Sequence, residues 1–85
     1  MRPHTSYHGN LYWRNEEGKE CLKQIFINDR YGILIHAKEL AKDKQGVLLC
    51  LVAMHYDRNA YNDHSDYYWF DCKDGEFIDV RNKYK

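Results

Sequence analysis

The chain has 85 residues, of which 44% are hydrophobic, and its 13 basic side chains balance 13 acidic ones. This composition excludes a disordered chain, and the length fits one small domain. The charge balance removes the long-range field that would draw the whole molecule to nucleic acid or to an anionic membrane. With no signal-peptide core and no apolar run long enough to cross a bilayer, we expect a cytoplasmic single domain, 1–85, with frayed ends at 1–6 and 82–85.

Polar clusters that contain glycine separate the apolar runs, which is typical of β-hairpins. Short turns are predicted at 15–18 and 73–75, and longer connections at 28–32 and 42–46. The segments between these turns predict about six strands, at residues 10–14, 21–28, 33–37, 47–56, 67–72 and 76–81.

The fold prediction depends on two segments in the middle of the chain. Residues 47–54 are apolar at nearly every position, which predicts a central strand covered on both faces, or on one face plus a tight barrel interior. Residues 33–44 are ambiguous, because their apolar positions also fit helical spacing and 37–42 contain strong helix formers. We therefore expect a mainly β (α+β) fold, a small antiparallel meander sheet or partly open barrel, with at most one short helix near 37–44.

Cysteines and sequence motifs give little support to an enzyme. Cys21, Cys50 and Cys72 are an odd number without metal-ligand spacing, and each lies within or beside an apolar run. We interpret them as reduced core residues. The chain has no phosphate-binding loop, dinucleotide fingerprint or nucleophile elbow. A binding protein is therefore favoured over an enzyme, no cofactor or catalytic residue is predicted, and no family resemblance is evident.

The segment 55–70 is the most distinctive part of the sequence. It contains the longest connection between predicted strands, and its Tyr, Asn, Ser and Asp residues are the types used by recognition loops. Seven acidic residues lie between positions 57 and 79 against two basic ones. We expect the loop 56–68 and the aromatic hairpin beside it to bind another protein with a basic surface, although a solvated loop without a role is the alternative. The predicted contact residues are Tyr56, Asp57, Tyr61, Asp63, Asp66, Tyr67 and Trp69.

Composition supports one narrower version of this hypothesis. Asn, Lys, Tyr, Ile and Phe, which have AT-rich codons, make up about a third of the chain. Such composition is typical of AT-rich genomes, such as those of phages, mobile elements and low-GC bacteria. One version of the protein-binding hypothesis is therefore a phage or mobile-element inhibitor or regulator of a host protein.

Two other binding hypotheses remain open. His-x-Asp occurs twice, at 55–57 and 64–66, and residues two apart on a strand face the same side. His55, Asp57, His64 and Asp66 are thus weak candidates for metal binding or hydrolysis, since so short a motif arises easily by chance. Exposed aromatic residues can also stack on single-stranded nucleic acid, but the acidic surroundings of the last hairpin disfavour it. The stacking candidates are Tyr12, Trp13, Tyr67, Tyr68 and Trp69. A purely structural role, as a subunit of an assembly that associates through an edge strand, is a further alternative, and the oligomeric state is left open.

Overall fold

A computed structural model describes residues 3–80, apart from the side chain of Ala60. The helix α1 (Arg30–Ala41) lies between the second and third strands, and a single 3₁₀ turn (Ala60–Asn62) lies between the third and fourth. The five strands are β1 (His4–Arg14), β2 (Glu20–Ile25), β3 (Gln45–Tyr56), β4 (His64–Lys73) and β5 (Glu76–Asp79).

The strands form one antiparallel sheet in the order β2-β1-β3-β4-β5. β1 and β2 form a hairpin, the chain crosses through α1 to the other side of β1, and β3, β4 and β5 then follow as a meander. Each of the two outer strands, β2 and β5, has a single neighbour, so the sheet is open within residues 3–80. The predicted fold class, mainly β and antiparallel with one helix, is confirmed.

Two predicted hairpin turns are present, and their chemistry explains them. Between β1 and β2 the side chain of Asn15 accepts hydrogen bonds from the N–H groups of Glu17 and Lys19, at 3.0 and 2.9 Å. Between β4 and β5 both Asp74 and Gly75 have positive φ, 53° and 78°. A two-residue turn with this pair of conformations matches the right-handed twist of the flanking strands.

The helix differs from the prediction in both position and length. It spans Arg30–Ala41, so the strand expected at 33–37 lies inside it, and the helix expected near 37–44 begins at Arg30 and ends at Ala41. The side chain of Asp29 caps the first turn by accepting a hydrogen bond from the N–H of Gly32 at 3.0 Å. Ile33, Ala37 and Ala41 repeat every four residues and are buried against the sheet. Burial of this apolar stripe favours a helix over a strand in this segment, because a fully buried Ile side chain contributes about 2 kcal/mol to the stability of the fold.

The core lies between α1 and one face of the sheet. Leu11 of β1, Leu49 and Leu51 of β3 and Ile25 of β2 pack there against Ile33. β3 is the central strand, and it is buried on both faces from Leu49 to Ala53, as its sequence predicts. None of the helical segments in residues 3–80 has the length and apolar character needed to span a membrane.

Chain ends and loop lengths also differ from expectation. β1 begins at His4, so the last part of the segment expected to be frayed, 1–6, belongs to the sheet. The other end, 82–85, lies outside the described residues. β4 begins at His64 rather than at 67, which shortens the connection after β3 to 57–63. Part of the predicted recognition loop is therefore strand.

Candidate functional site

The face of the sheet opposite to α1 is uncovered within residues 3–80, and we call it the open face. Strand pairing places Trp69 opposite Cys50 and Tyr67 opposite Val52, whereas the alternate residues Tyr68 and Phe70 pack on the core side. Tyr67 is 63% exposed and Trp69 is 40% exposed, and the ring of Trp69 stacks on Tyr12 with 6.0 Å between centroids. The exposed apolar residues of the open face are Leu22 on one side and Tyr67, Trp69 and Ile78 on the other, and the half-buried Tyr12 lies between them.

Charges on the open face are confined to one end. Alternation along the strands places its charged residues at the end where β1 and β4 finish: Arg14, Glu20, Asp71, Lys73 and Glu76. Among residues 3–80, the facing positions around Tyr67, Trp69 and the buried Cys50 and Val52 carry no Asp, Glu, Lys or Arg. The centre of the open face is therefore aromatic and uncharged.

The predicted contact residues do not form one surface. Tyr56, Tyr67 and Trp69 occupy alternate positions on the open face. Asp66 lies on the opposite side of the sheet, the side of α1. Tyr61, on the 3₁₀ turn, is 95% exposed and separate from both groups.

Two predicted contact residues, Asp57 and Asp63, hold the loop 57–63 in shape. A side-chain oxygen of Asp63 accepts a hydrogen bond from the N–H of Asp57 at 2.7 Å. Asp57 in turn accepts one from the N–H of Arg58 at 2.6 Å. Both carboxylates are exposed, so they contribute negative charge at this end of the sheet as well as local order.

The nucleic-acid hypothesis requires its aromatic residues to share one face, and the structure separates them. Tyr12, Tyr67 and Trp69 lie on the open face. Trp13 and Tyr68 pack against the core on the other side. Leu22 and Ile78, which the sequence analysis did not single out, complete the open face. Leu22 and Ile78 alternate with Cys21 and Phe77, which indicates that they lie on the opposite side of their strands. That this side is the open face follows only from the strand order.

A second feature, which we call the histidine cluster, lies on the side of α1 at the other end of the sheet. It consists of His55 on β3 with His64 and Asp66 on β4. Nε2 of His55 is 2.9 Å from Oδ2 of Asp66, and Nε2 of His64 is 4.0 Å from the same oxygen. The two imidazole rings are 4.7 Å apart. The structure thus groups three of the four metal candidates, whereas Asp57 follows the end of β3 and turns into the loop.

Strand register explains the histidine cluster. Thr5, His55 and His64 form one row across β1, β3 and β4. Nδ1 of His55 is 3.0 Å from the hydroxyl of Thr5, and Nδ1 of His64 is 3.0 Å from the carbonyl oxygen of Asn62. A surface depression of about 480 Å³ adjoins the cluster and is lined by both histidines, Thr5 and Asp57, among others. Thr5 was not singled out from the sequence, because its role depends on this register.

The three cysteines are free thiols. Cys50 lies under the open face, and its burial raises the pKa of its thiol above the ordinary value. Cys72 packs against the core, and Cys21 is half-buried on the outer strand β2. The expectation of core positions holds best for Cys50 and Cys72.

No protein-family model, curated protein or solved structure matches this chain. The class to which the protein belongs is therefore defined by its own architecture: a mainly β domain in which residues 3–80 form an open five-stranded antiparallel sheet with the helix α1 on one face. The open face and the histidine cluster are the two features of this architecture that bear on its function.

Proposed function

We propose that this protein is a non-enzymatic binding module that contacts another protein through the open face of its sheet. The observation that supports the proposal is the exposure of Tyr67 and Trp69 beside the stacked Tyr12, with Leu22 and Ile78 at the flanks. Contiguous exposed apolar residues mark binding surfaces on soluble proteins. Tyr and Trp are also the residues that most often contribute large binding energies at protein interfaces.

The charges around the open face favour a protein partner over a nucleic acid. A base-stacking surface needs cations beside its rings to hold the phosphates. Within residues 3–80 the centre of the open face has none, and its charges lie at one end, where Glu20, Asp71 and Glu76 offset Arg14 and Lys73. Asp57 and Asp63 add negative charge at the opposite end. The partner that fits is an apolar protein surface flanked by basic residues.

Affinity capture followed by binding measurement tests this proposal. The bait is the full chain, compared with Tyr67→Ser and with Tyr31→Ser, in which an equally exposed tyrosine on α1 is changed instead. A partner of the open face is retained by the wild type and by Tyr31→Ser and is lost with Tyr67→Ser. Titration of the purified partner should then show at least a tenfold loss of affinity for Tyr67→Ser, roughly 1.4 kcal/mol.

Two outcomes would contradict the proposal. One is a partner that binds Tyr67→Ser as tightly as the wild type, which would remove the open face from the interface. The other is tight binding of single-stranded RNA that requires Tyr67 and weakens steeply with salt, which would make the open face a nucleic-acid surface.

A narrower form of the proposal concerns the biological setting. Three free thiols fit a reducing compartment, so we place the function in the cytoplasm. The codon-type composition supports a phage or mobile-element protein that inhibits or regulates a host protein. Expression in a bacterial host tests this form: a growth defect that Tyr67→Ser abolishes and Tyr31→Ser retains is expected.

A further inference from the structure

We propose that His55, His64 and Asp66 bind a divalent transition-metal ion, with Zn²⁺ as the simplest occupant. The inference is independent of the binding function assigned to the open face, because the histidine cluster lies on the other side of the sheet. It assigns a role to the second His-x-Asp pair, His64 and Asp66, and to His55 of the first, which protein binding leaves unexplained.

The spacing of the three donor atoms fits a metal ion. They all lie within 4.8 Å of one another. In a tetrahedral zinc site, with bonds of about 2.1 Å, neighbouring donor atoms are about 3.4 Å apart. The observed separations of 2.9 and 4.0 Å from Oδ2 of Asp66 to the two imidazole nitrogens lie on either side of that value. Small side-chain rotations therefore bring all three donors to bonding distance.

Hydrogen bonding prepares His64 as a ligand. Its Nδ1 faces the carbonyl oxygen of Asn62, which can only accept, so Nδ1 carries the proton. In the neutral ring Nε2 then holds a lone pair, and Nε2 lies 4.0 Å from Oδ2 of Asp66. A metal ion between these two electron-pair donors would be bound by both of them.

The hydroxyl of Thr5 allows His55 to change partners. Without metal, Nε2–H of His55 donates to Asp66 at 2.9 Å, and the Thr5 hydroxyl donates to Nδ1 at 3.0 Å. With metal, the neutral ring takes its other tautomer: the proton leaves Nε2, which becomes the ligand atom, and Nδ1 takes up a proton from solvent and donates a hydrogen bond to the same hydroxyl. A hydroxyl can serve in both ways because it is donor and acceptor. Hydrogen-bonded outer partners of this kind orient metal-binding histidines in proteins.

The donor set and its surroundings indicate the kind of site. Two imidazoles and one carboxylate suit Zn²⁺ and neighbouring transition metals rather than Ca²⁺ or Mg²⁺. The depression beside the cluster leaves space for water or another group at the remaining coordination positions. The ion would also link the end of β3 to the start of β4, on either side of the loop 57–63.

Calorimetric titration of the untagged full chain with ZnCl₂ tests the site, with Co²⁺ absorption as a second readout. We expect one ion per chain, tetrahedral Co²⁺ bands and a rise in melting temperature with zinc. His64→Ala and Asp66→Asn should each weaken binding by at least about tenfold. His36→Ala, a change at an exposed histidine of α1, should leave it unchanged. Both site variants lie at exposed or half-exposed positions, so circular dichroism should show the same fold.

Two results would contradict the proposed metal site. Absence of zinc binding by the wild type at submillimolar metal would overturn the proposal. Binding that survives in both His64→Ala and Asp66→Asn would also overturn it, because the ion would then lie elsewhere on the surface.

Discussion

Gly9 of β1 faces Ile33 of α1, and the absence of a side chain there sets how closely the helix approaches the sheet. A Cβ added at Gly9 would lie 2.7 Å from Cγ2 of Ile33, a branched and fully buried side chain. Because χ1 of Ile is stiff, the clash is not relieved by rotation. We expect Gly9→Ala to lower the free energy of unfolding in urea by about 1–3 kcal/mol.

A double-mutant cycle separates this clash from any backbone effect of Gly9→Ala. Ile33→Ala removes the contacted atom, so Gly9→Ala should cost less in that background. The backbone of Gly9 is not in the left-handed region, which Gly18, Gly46 and Gly75 occupy. An equal cost in both backgrounds would contradict the close-contact explanation.

Cys50 makes the pH dependence of stability predictable in sign. Burial raises the pKa of its thiol above the ordinary value of 9.0. Above that pH the unfolded state releases the proton first, so Cys50 contributes its full stability below about pH 9 and loses it as the pH rises toward the folded-state pKa. Urea unfolding between about pH 8 and pH 10 should show a smaller loss of stability for Cys50→Ala than for the wild type. Identical slopes would show that the thiol does not titrate differently on folding.

The histidine cluster marks the limit of residue-level prediction from sequence. His64 and Asp66 lie two apart on one strand and face the same side, which alternation predicts. His55 and Asp57 do not form the corresponding pair, since β3 ends at Tyr56. His55 instead reaches Asp66 across the sheet, and that pairing depends on a register that the sequence does not specify.

At the scale of elements, the hairpins follow from local sequence but the helix does not. Turns such as Asp74-Gly75 need positive φ, so their residue types indicate them directly. Residues 28–32 contain the same residue types, yet Asp29 serves there as a helix cap. Isolated sequence cannot separate a capped helix from a strand at 33–37, because burial of Ile33 and Ala37 against β1 and β3 decides between them.

The cap at Asp29 gives a prediction for α1. Asp29→Ala removes the acceptor for the N–H of Gly32, and we expect it to lower the free energy of unfolding by about 1 kcal/mol. Asp29→Ser retains a capping oxygen and should cost clearly less. Chemical denaturation monitored by circular dichroism measures both. An equal loss for the two variants would mean that the carboxylate acts other than as a cap.

At the scale of the molecule, the two faces of the sheet have different roles. Hydrophobic patterning predicts that β3 is buried on both sides, and it is. Which groups bury each side of β3 depends on the topology. The helix α1 lies over one face, and side chains such as Tyr67 and Trp69 shield Cys50 and Val52 on the other. The sequence identifies the aromatic residues of the last hairpin. Which of them meet depends on the strand order β2-β1-β3-β4-β5.

Net neutrality and the open face together predict weak self-association in the absence of a partner. The formal net charge is zero at pH 7, so electrostatic repulsion between copies is weakest there, while Tyr67 and Trp69 remain exposed. Sedimentation velocity at pH 7 should therefore show a weight-average sedimentation coefficient that rises with protein concentration. Tyr67→Lys places a charge at the centre of the open face and should abolish the rise. Tyr31→Lys adds the same net charge on α1 and should retain most of the rise in sedimentation coefficient. Loss of the rise in both variants would assign the association to net charge alone, and a rise retained in both would remove the open face from the association.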